Sequence, residues 1–120
     1  MGPELLARLT VVAAAIEAKK AFQITAFDVS GRTSIADVFL LCSVGSARQA
    51  QAVADEVERA LREEGARPIS VEGYNDGGWV LMDYGDFVLH VFQEERRAHY
   101  ALERLWGDAP DIGSTLRPSG

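Results

Sequence analysis

The side chains best suited to chemistry in this sequence are two carboxylates and two histidines. Asp83 and Asp86 stand three positions apart and flank Tyr84-Gly85. A magnesium-dependent transferase needs carboxylates at neighbouring positions of one strand face, because a hard cation binds clustered oxygens. His90 and His99 lack the cysteine or Glu-x-x-His spacing that joins histidines at a metal. We therefore predict no catalytic residue, no metal site, no cofactor and no enzyme activity.

One short loop has the form of a phosphate-binding turn. Gly45-Ser46 follows an apolar strand and opens a helix, as such a turn would. Ser46 is also a typical N-cap residue, and we favour that interpretation while keeping nucleotide binding as an alternative. The single cysteine, Cys42, permits neither an internal disulfide nor a cysteine-based zinc site, as expected in a reducing compartment.

Composition narrows the classes of partner. A chain of 120 residues is long enough for one domain with its own core. Twelve basic and eighteen acidic side chains give a net charge of −6, which argues against binding nucleic acid by neutralising phosphates and favours a basic protein as partner. The sequence contains neither a membrane-length apolar run nor a secretory signal, so we expect a cytoplasmic protein that binds no membrane.

The two carboxylates belong to a predicted β-hairpin. Two β-rich runs, 79–83 and 86–92, are separated only by Tyr84-Gly85, which suits a tight two-residue turn. Such a turn sets the register of the two strands. The predicted cross-strand pairs are Asp83–Asp86, Met82–Phe87, Leu81–Val88, Val80–Leu89 and Trp79–His90.

Strand alternation divides this hairpin into two unlike faces. One face is purely apolar and is the natural core side; it holds Val80, Met82, Phe87, Leu89 and Val91. The other face mixes apolar and polar side chains: Trp79, Leu81, Asp83, Asp86, Val88 and His90. An apolar pair among carboxylates on the second face of a sheet predicts a partner surface.

The elements before the hairpin provide its core. Residues 24–30 alternate as a half-buried strand, and 38–42 are apolar throughout, as in a central strand covered on both sides. Residues 4–20 predict a helix with one apolar stripe. The stripe consists of Leu5, Leu9, Val12 and Ile16.

The elements around the hairpin complete an α/β domain. Residues 46–64 predict a helix that Gly65 ends, 67–73 predict a strand with its apolar residues Ile69 and Val71 inward, and 94–106 predict a last helix. The helix between the central strand and 67–73 is a crossover that makes those strands parallel, whereas the hairpin is antiparallel. The prediction is a single domain with a mixed five-stranded sheet and flanking helices.

Short blocks distributed along residues 4–112 carry a family resemblance. They are Lys20-Ala21, Asp28-Val29, SIAD at 34–37, Arg48-Gln49, VEG at 71–73, WVLMDYGD at 79–86, HVF at 90–92 and LERLWGDAP at 102–110. In this order and spacing the chain resembles the ribosomal silencing factor, or Iojap-like, family. We therefore place the domain at 1–112 and predict a flexible tail at 113–120.

The resemblance implies a function that composition does not. Members of the family bind the large ribosomal subunit through its protein L-fourteen, block joining of the small subunit, and so lower translation when nutrients are scarce. It also implies a nucleotidyltransferase-like topology without catalytic motifs. Carried over to this chain, the family's signature gives Trp79, Leu81, Asp83 and Tyr84 as partner-binding residues. We add Asp86, which with Asp83 and Glu72 would pair basic groups of the partner at the rim.

Each of these assignments has an alternative. Trp79 could pack under a helix or against a second copy of the chain, which would make the domain a homodimer through the same face. Asp83 and Asp86 could serve the turn around Tyr84-Gly85, a position that favours aspartate for local hydrogen bonds. A self-associating or nucleotide-binding domain is therefore the alternative function.

Overall fold

A five-stranded mixed sheet forms the centre of the fold. The computed structural model describes residues 2–95 and 109–116. The strands and helices of this part are, in chain order, α1 (Pro3–Ala18), β1 (Phe22–Asp28), β2 (Val38–Val44), α2 (Ala47–Glu63), β3 (Ser70–Glu72), β4 (Trp79–Asp83), β5 (Phe87–Gln93) and α3 (Gly113–Leu116).

The strands are ordered β1-β2-β5-β4-β3. β2 and β5 pair in parallel, and the other three pairs are antiparallel. It follows that β3 runs in the same direction as β2, as the predicted crossover requires, although β5 and β4 lie between them. The mixed five-stranded sheet of the prediction is confirmed.

The hairpin register differs from the prediction by two residues. Trp79 pairs with Phe92 and Asp83 with Val88, and the Tyr84 amide donates to the Phe87 carbonyl at 3.0 Å. The two-residue loop is therefore Gly85-Asp86 rather than Tyr84-Gly85. Gly85 has a φ of +89°, and a loop with glycine first suits a type II′ turn. A shift of two residues preserves the strand faces, because side chains alternate with period two.

The two long helices cover one face of the sheet. All four apolar residues of the predicted α1 stripe are buried. In α2 the Ser46 hydroxyl accepts from the Gln49 amide at 3.1 Å, which confirms the predicted N-cap. The hairpin residues of the predicted apolar face pack in this core together with the buried Cys42. This helix-covered side is thus the larger of two cores.

The strand β3 corrects one prediction. Ile69 and Val71 are 70% and 36% exposed, so neither is buried in the core as expected. The reason is the sheet order: β3 is an edge strand, paired only with β4 among the described strands. Alternation in the sequence correctly indicated a strand here, but it could not indicate how far that strand lies from the helices.

The described residues after 108 pack against the sheet and the helices. The Ile112 amide donates to the Ala26 carbonyl at 2.8 Å, and Asp111 forms a bridge with Phe27. Leu116 is buried in the helix-covered core. Residues 113–116 are therefore packed against the domain. The predicted helix at 94–106 lies outside the described residues except for Glu94 and Glu95, which are helical, and residues 117–120 lie outside them too.

No helix within residues 2–95 and 109–116 is both long and apolar enough to cross a membrane.

Candidate partner-binding site

The face of the sheet that points away from α1 and α2, called the second face below, carries the candidate site. Strand pairing aligns its side chains in rows across the sheet, so that Leu41, His90, Leu81 and Glu72 form one row. The row on one side of it brings Asp83 beside Val88 and Ser70, and the row on its other side brings Trp79 beside Phe92.

The second face changes from buried to exposed across its width. Towards β1 and β2 it holds a second apolar core made of Phe27, Val29, Ala36, Phe39, Leu41, Val88, Phe92 and Ala109. Towards the β3 edge, Trp79, Leu81 and Asp83 are only partly buried, and Glu72 is exposed. Trp79 and Leu81 pack against the second core with their inner surfaces. The surface thus offers two apolar side chains beside two carboxylates.

An aromatic cluster holds Trp79 in place. Its ring stacks on Phe92 with centroids 5.0 Å apart, and His90 stacks on the same Phe92 at 5.9 Å. Phe39 meets the His90 ring edge-on at 5.5 Å. Stacked and edge-on aromatic pairs contribute about 0.5–1.5 kcal/mol each beyond the area they bury. The inner surface of Trp79 is therefore supported by packed aromatic rings.

A hydrogen bond adds direction to this packing. The Trp79 indole Nε1–H donates to His90 Nδ1 at 3.1 Å. His90 is only 7% exposed, and burial lowers the pKa of its imidazole to about 4. The ring is therefore neutral at pH 7, with Nδ1 as acceptor and the proton on Nε2. The sequence prediction rejected His90 as a metal ligand but did not foresee this hydrogen bond; the signal was its place on the same strand face as Trp79.

Asp83 serves the turn with one of its two oxygens. Its Oδ1 accepts the Gly85 amide proton at 2.8 Å, and its backbone carbonyl accepts from Ile69. The turn role that the sequence left open is therefore present. A carboxylate has room for further bonds on Oδ2, so this geometry also leaves Asp83 able to pair with a basic group.

Two of the five predicted site residues lie elsewhere. Asp86 was assigned to the mixed face, but its Oδ2 lies 3.6 Å from an Arg8 guanidinium nitrogen on α1. Tyr84 is 9% exposed, stacks on Phe87 at 5.0 Å and belongs to the helix-covered core. Burial raises the pKa of Tyr84 to about 12. Both residues are therefore on the side of the sheet that the helices cover.

The loop at Gly45-Ser46 is hydrogen-bonded to Gln49 in the first turn of α2. The Gly45 amide donates to Gln49 Oε1 at 2.7 Å, and the Gln49 amide donates to the Ser46 hydroxyl. The Gln49 side-chain amide also bonds the Lys19 carbonyl at 3.0 Å. The first two of these bonds use the Gly45 and Gln49 amides, which are among the backbone donors that a phosphate at this turn would contact. Within residues 2–95 and 109–116, no three side chains of the metal-binding types come together.

Solved structures of known proteins share this architecture. A protein of Chromobacterium violaceum superimposes with a TM-score of 0.80 at 34% identity, covering 89% of this chain and 88% of that one. A protein of Bacillus halodurans superimposes with a TM-score of 0.78 at 39% identity, covering 92% and 98%. The fold class is therefore a single α/β domain shared with both.

Sequence comparison is more specific. The ribosomal silencing factor RsfS of Halalkalibacterium halodurans is 46% identical over 98 residues, which are 82% of this chain and 84% of the relative. That of Bacillus subtilis is 44% identical over 102 residues, covering 85% and 86%. The family described as "Ribosomal silencing factor during starvation" matches residues 3–119. The chain belongs to the RsfS family of ribosomal silencing factors.

Proposed function

We propose that this protein is a cytoplasmic ribosomal silencing factor that binds the large ribosomal subunit through ribosomal protein L-fourteen. Bound there, it occupies volume that the small subunit needs, so that subunit joining and translation fall when nutrients are limited. The effect requires no catalysis, because a bound body acts by exclusion and its effect follows its occupancy.

The observation that carries this proposal is the exposed part of the second face, in a chain that belongs to this family. Trp79 and Leu81 are partly buried apolar side chains on β4, next to the edge strand β3, with Asp83 and Glu72 beside them. A central aromatic or aliphatic anchor with a charged rim is the usual anatomy of a protein interface. The rim is acidic, which suits a basic ribosomal protein better than RNA.

Magnitudes rank the residues of this site. Truncating a tryptophan that becomes buried at the centre of an interface costs about 2 kcal/mol or more, whereas rim charges chiefly alter the rate of association and its salt dependence. We therefore expect Trp79 to dominate the affinity, Leu81 to contribute next, and Asp83 and Glu72 to set the response to salt. Tyr84 and Asp86, on the helix side, are expected to contribute little by direct contact.

Cosedimentation with purified large and small ribosomal subunits tests the proposal. The wild-type chain is expected to travel with the large subunit only, and Trp79→Glu to remain in the supernatant. Leu6→Glu is the matched control, because Leu6 is 38% exposed on α1, in the layer opposite the second face, and receives the same charge. Circular dichroism must show that both variants fold.

Three results would count against the proposal. Wild type that travels with neither subunit would remove the ribosomal assignment. Wild type that pairs with itself in light scattering and becomes monomeric as Trp79→Glu, without ribosome binding, would assign the face to a homodimer. Magnesium-dependent nucleotide binding without ribosome binding would favour the nucleotide-binding alternative.

A further inference from the structure

We propose that His90 is a positioning residue that fixes the Trp79 indole, through the hydrogen bond it accepts, in the orientation in which a protein partner contacts it. This inference rests on the proposed function. His90 is not one of the proposed partner-contacting residues, because at 7% exposure it is too deeply buried to touch a partner.

The geometry makes His90 a rigid support. It lies on β5, the strand between β2 and β4, with Leu41 opposite it on one side and Leu81 on the other. Phe92 stacks on its ring with an interplanar angle of 4°, and Phe39 closes the edge at 80°. Trp79 is diagonal to it across the hairpin, and the indole nitrogen reaches Nδ1 at 3.1 Å. The bond therefore runs from a partly buried side chain to a fixed one.

The balance of polar groups argues that the imidazole is not there for stability alone. With Nδ1 accepting, Nε2 carries the proton, and this buried atom has no hydrogen-bond partner within the described part of the chain. An unsatisfied buried donor is destabilising, and a phenyl ring would fill the same stack without one. What the imidazole provides and the phenyl ring lacks is the acceptor for Trp79.

Fixing the indole before binding favours affinity, because the partner would otherwise have to restrict the motion of this side chain. A tryptophan side chain that is held before binding loses less freedom on association, which favours affinity without adding a contact. If the bond is lost, the ring still stacks on Phe92 at 5.0 Å, but the direction of its Nε1–H is no longer set. The loss is thus expected in partner binding rather than in folding.

Two substitutions at one position separate these effects. His90→Phe keeps the stack and removes both the acceptor and the unsatisfied Nε2, so we expect a melting temperature at or above that of wild type and about tenfold weaker binding to the large subunit. His90→Asn places its side-chain oxygen close to the position of Nδ1, so we expect it to regain most of the binding although it packs less well. Trp79→Phe is expected to weaken binding, and His90→Phe to add little to it, because the two act through one bond.

Nuclear magnetic resonance tests the bond without the ribosome. In a Trp106→Phe, His99→Gln background Trp79 and His90 are the only indole and imidazole in the chain. The nitrogen-15 spectrum is expected to show the Nε2–H tautomer, and the indole proton signal to move in His90→Phe and return towards its wild-type position in His90→Asn.

The outcomes are distinct. A folded His90→Phe that binds the large subunit like wild type, or an imidazole protonated on Nδ1, overturns the role of His90. Wild type that fails to bind the subunit overturns the proposed function instead, and the spectra still decide whether the bond exists.

Discussion

Asp83 gives the sharpest prediction, because two substitutions separate its role in the turn from a role in binding. Asp83→Asn keeps an oxygen where Oδ1 accepts the Gly85 amide proton at 2.8 Å, but it removes the charge. Asp83→Ala removes both. If the carboxylate serves the turn through this bond and the partner through its charge, the asparagine variant retains stability but binds more weakly at low salt and with a smaller salt dependence. The alanine variant shows the same change in binding and is also less stable.

The size of the stability effect follows from the contact. A hydrogen bond to a charged group contributes about 1.5–3 kcal/mol, and partial burial of Asp83 places it near the lower end, at about 1.5 kcal/mol for Asp83→Ala. The entropy of unfolding is about 2.1 cal/mol/K per residue, or about 0.25 kcal/mol/K for 120 residues. Asp83→Ala should therefore melt about 6 °C below wild type, and Asp83→Asn within about 2 °C of it.

Thermal denaturation and salt-dependent cosedimentation measure the two effects. The matched control is Asp86→Asn, which removes the same charge from the neighbouring loop position and loses only a 3.6 Å ion pair between exposed groups. It is expected to cost about 0.5 kcal/mol or less and to leave ribosome binding unchanged. The reasoning is refuted if Asp83→Asn is as unstable as Asp83→Ala, or if it binds the large subunit like wild type at every salt concentration.

Three further predictions concern the surroundings of the site. Burial lowers the pKa of His90 from 6.5 to about 4, so between these pH values the unfolded chain binds a proton that the folded chain excludes. The free energy of unfolding should therefore fall by up to about 3 kcal/mol as pH drops from about 6.5 to 4, and denaturation of His90→Phe should show a flatter pH dependence over this window. Gly73→Ala should cost at least about 2 kcal/mol, since its Cβ would lie 2.0 Å from the Trp79 carbonyl oxygen at a φ of +77°; Gly31→Ala, with a φ of +81° and open space, should cost only about 1 kcal/mol, and equal losses would contradict the clash. Tyr84→Phe removes a buried hydroxyl that has no partner within residues 2–95 and 109–116, so denaturation should show unchanged or slightly greater stability; a drop in ribosome binding would contradict its placement on the helix side.

The sequence by itself determined the composition of the two hairpin faces. Trp79, Leu81 and Asp83 share a face in the predicted register and in the observed one, because strand alternation depends only on whether positions are odd or even. It also determined the buried stripe of α1 and the N-cap of α2, since both are set by residues within one or two turns of helix. These features are local, and local spacing is what a sequence displays.

The tertiary structure decided which residues meet across the chain. The parallel pairing of β2 with β5 joins segments nearly fifty residues apart, and it is this pairing that makes β3 an edge and exposes Ile69. Because the turn is formed by Gly85-Asp86, the Asp86 side chain lies beside Arg8 and away from Trp79. The bond from Trp79 to His90 is likewise diagonal, so it depends on the register, which the hydrogen bond between Tyr84 and Phe87 fixes. Contacts of this kind depend on how the strands are assembled, and the spacing of residue types along the sequence does not predict them.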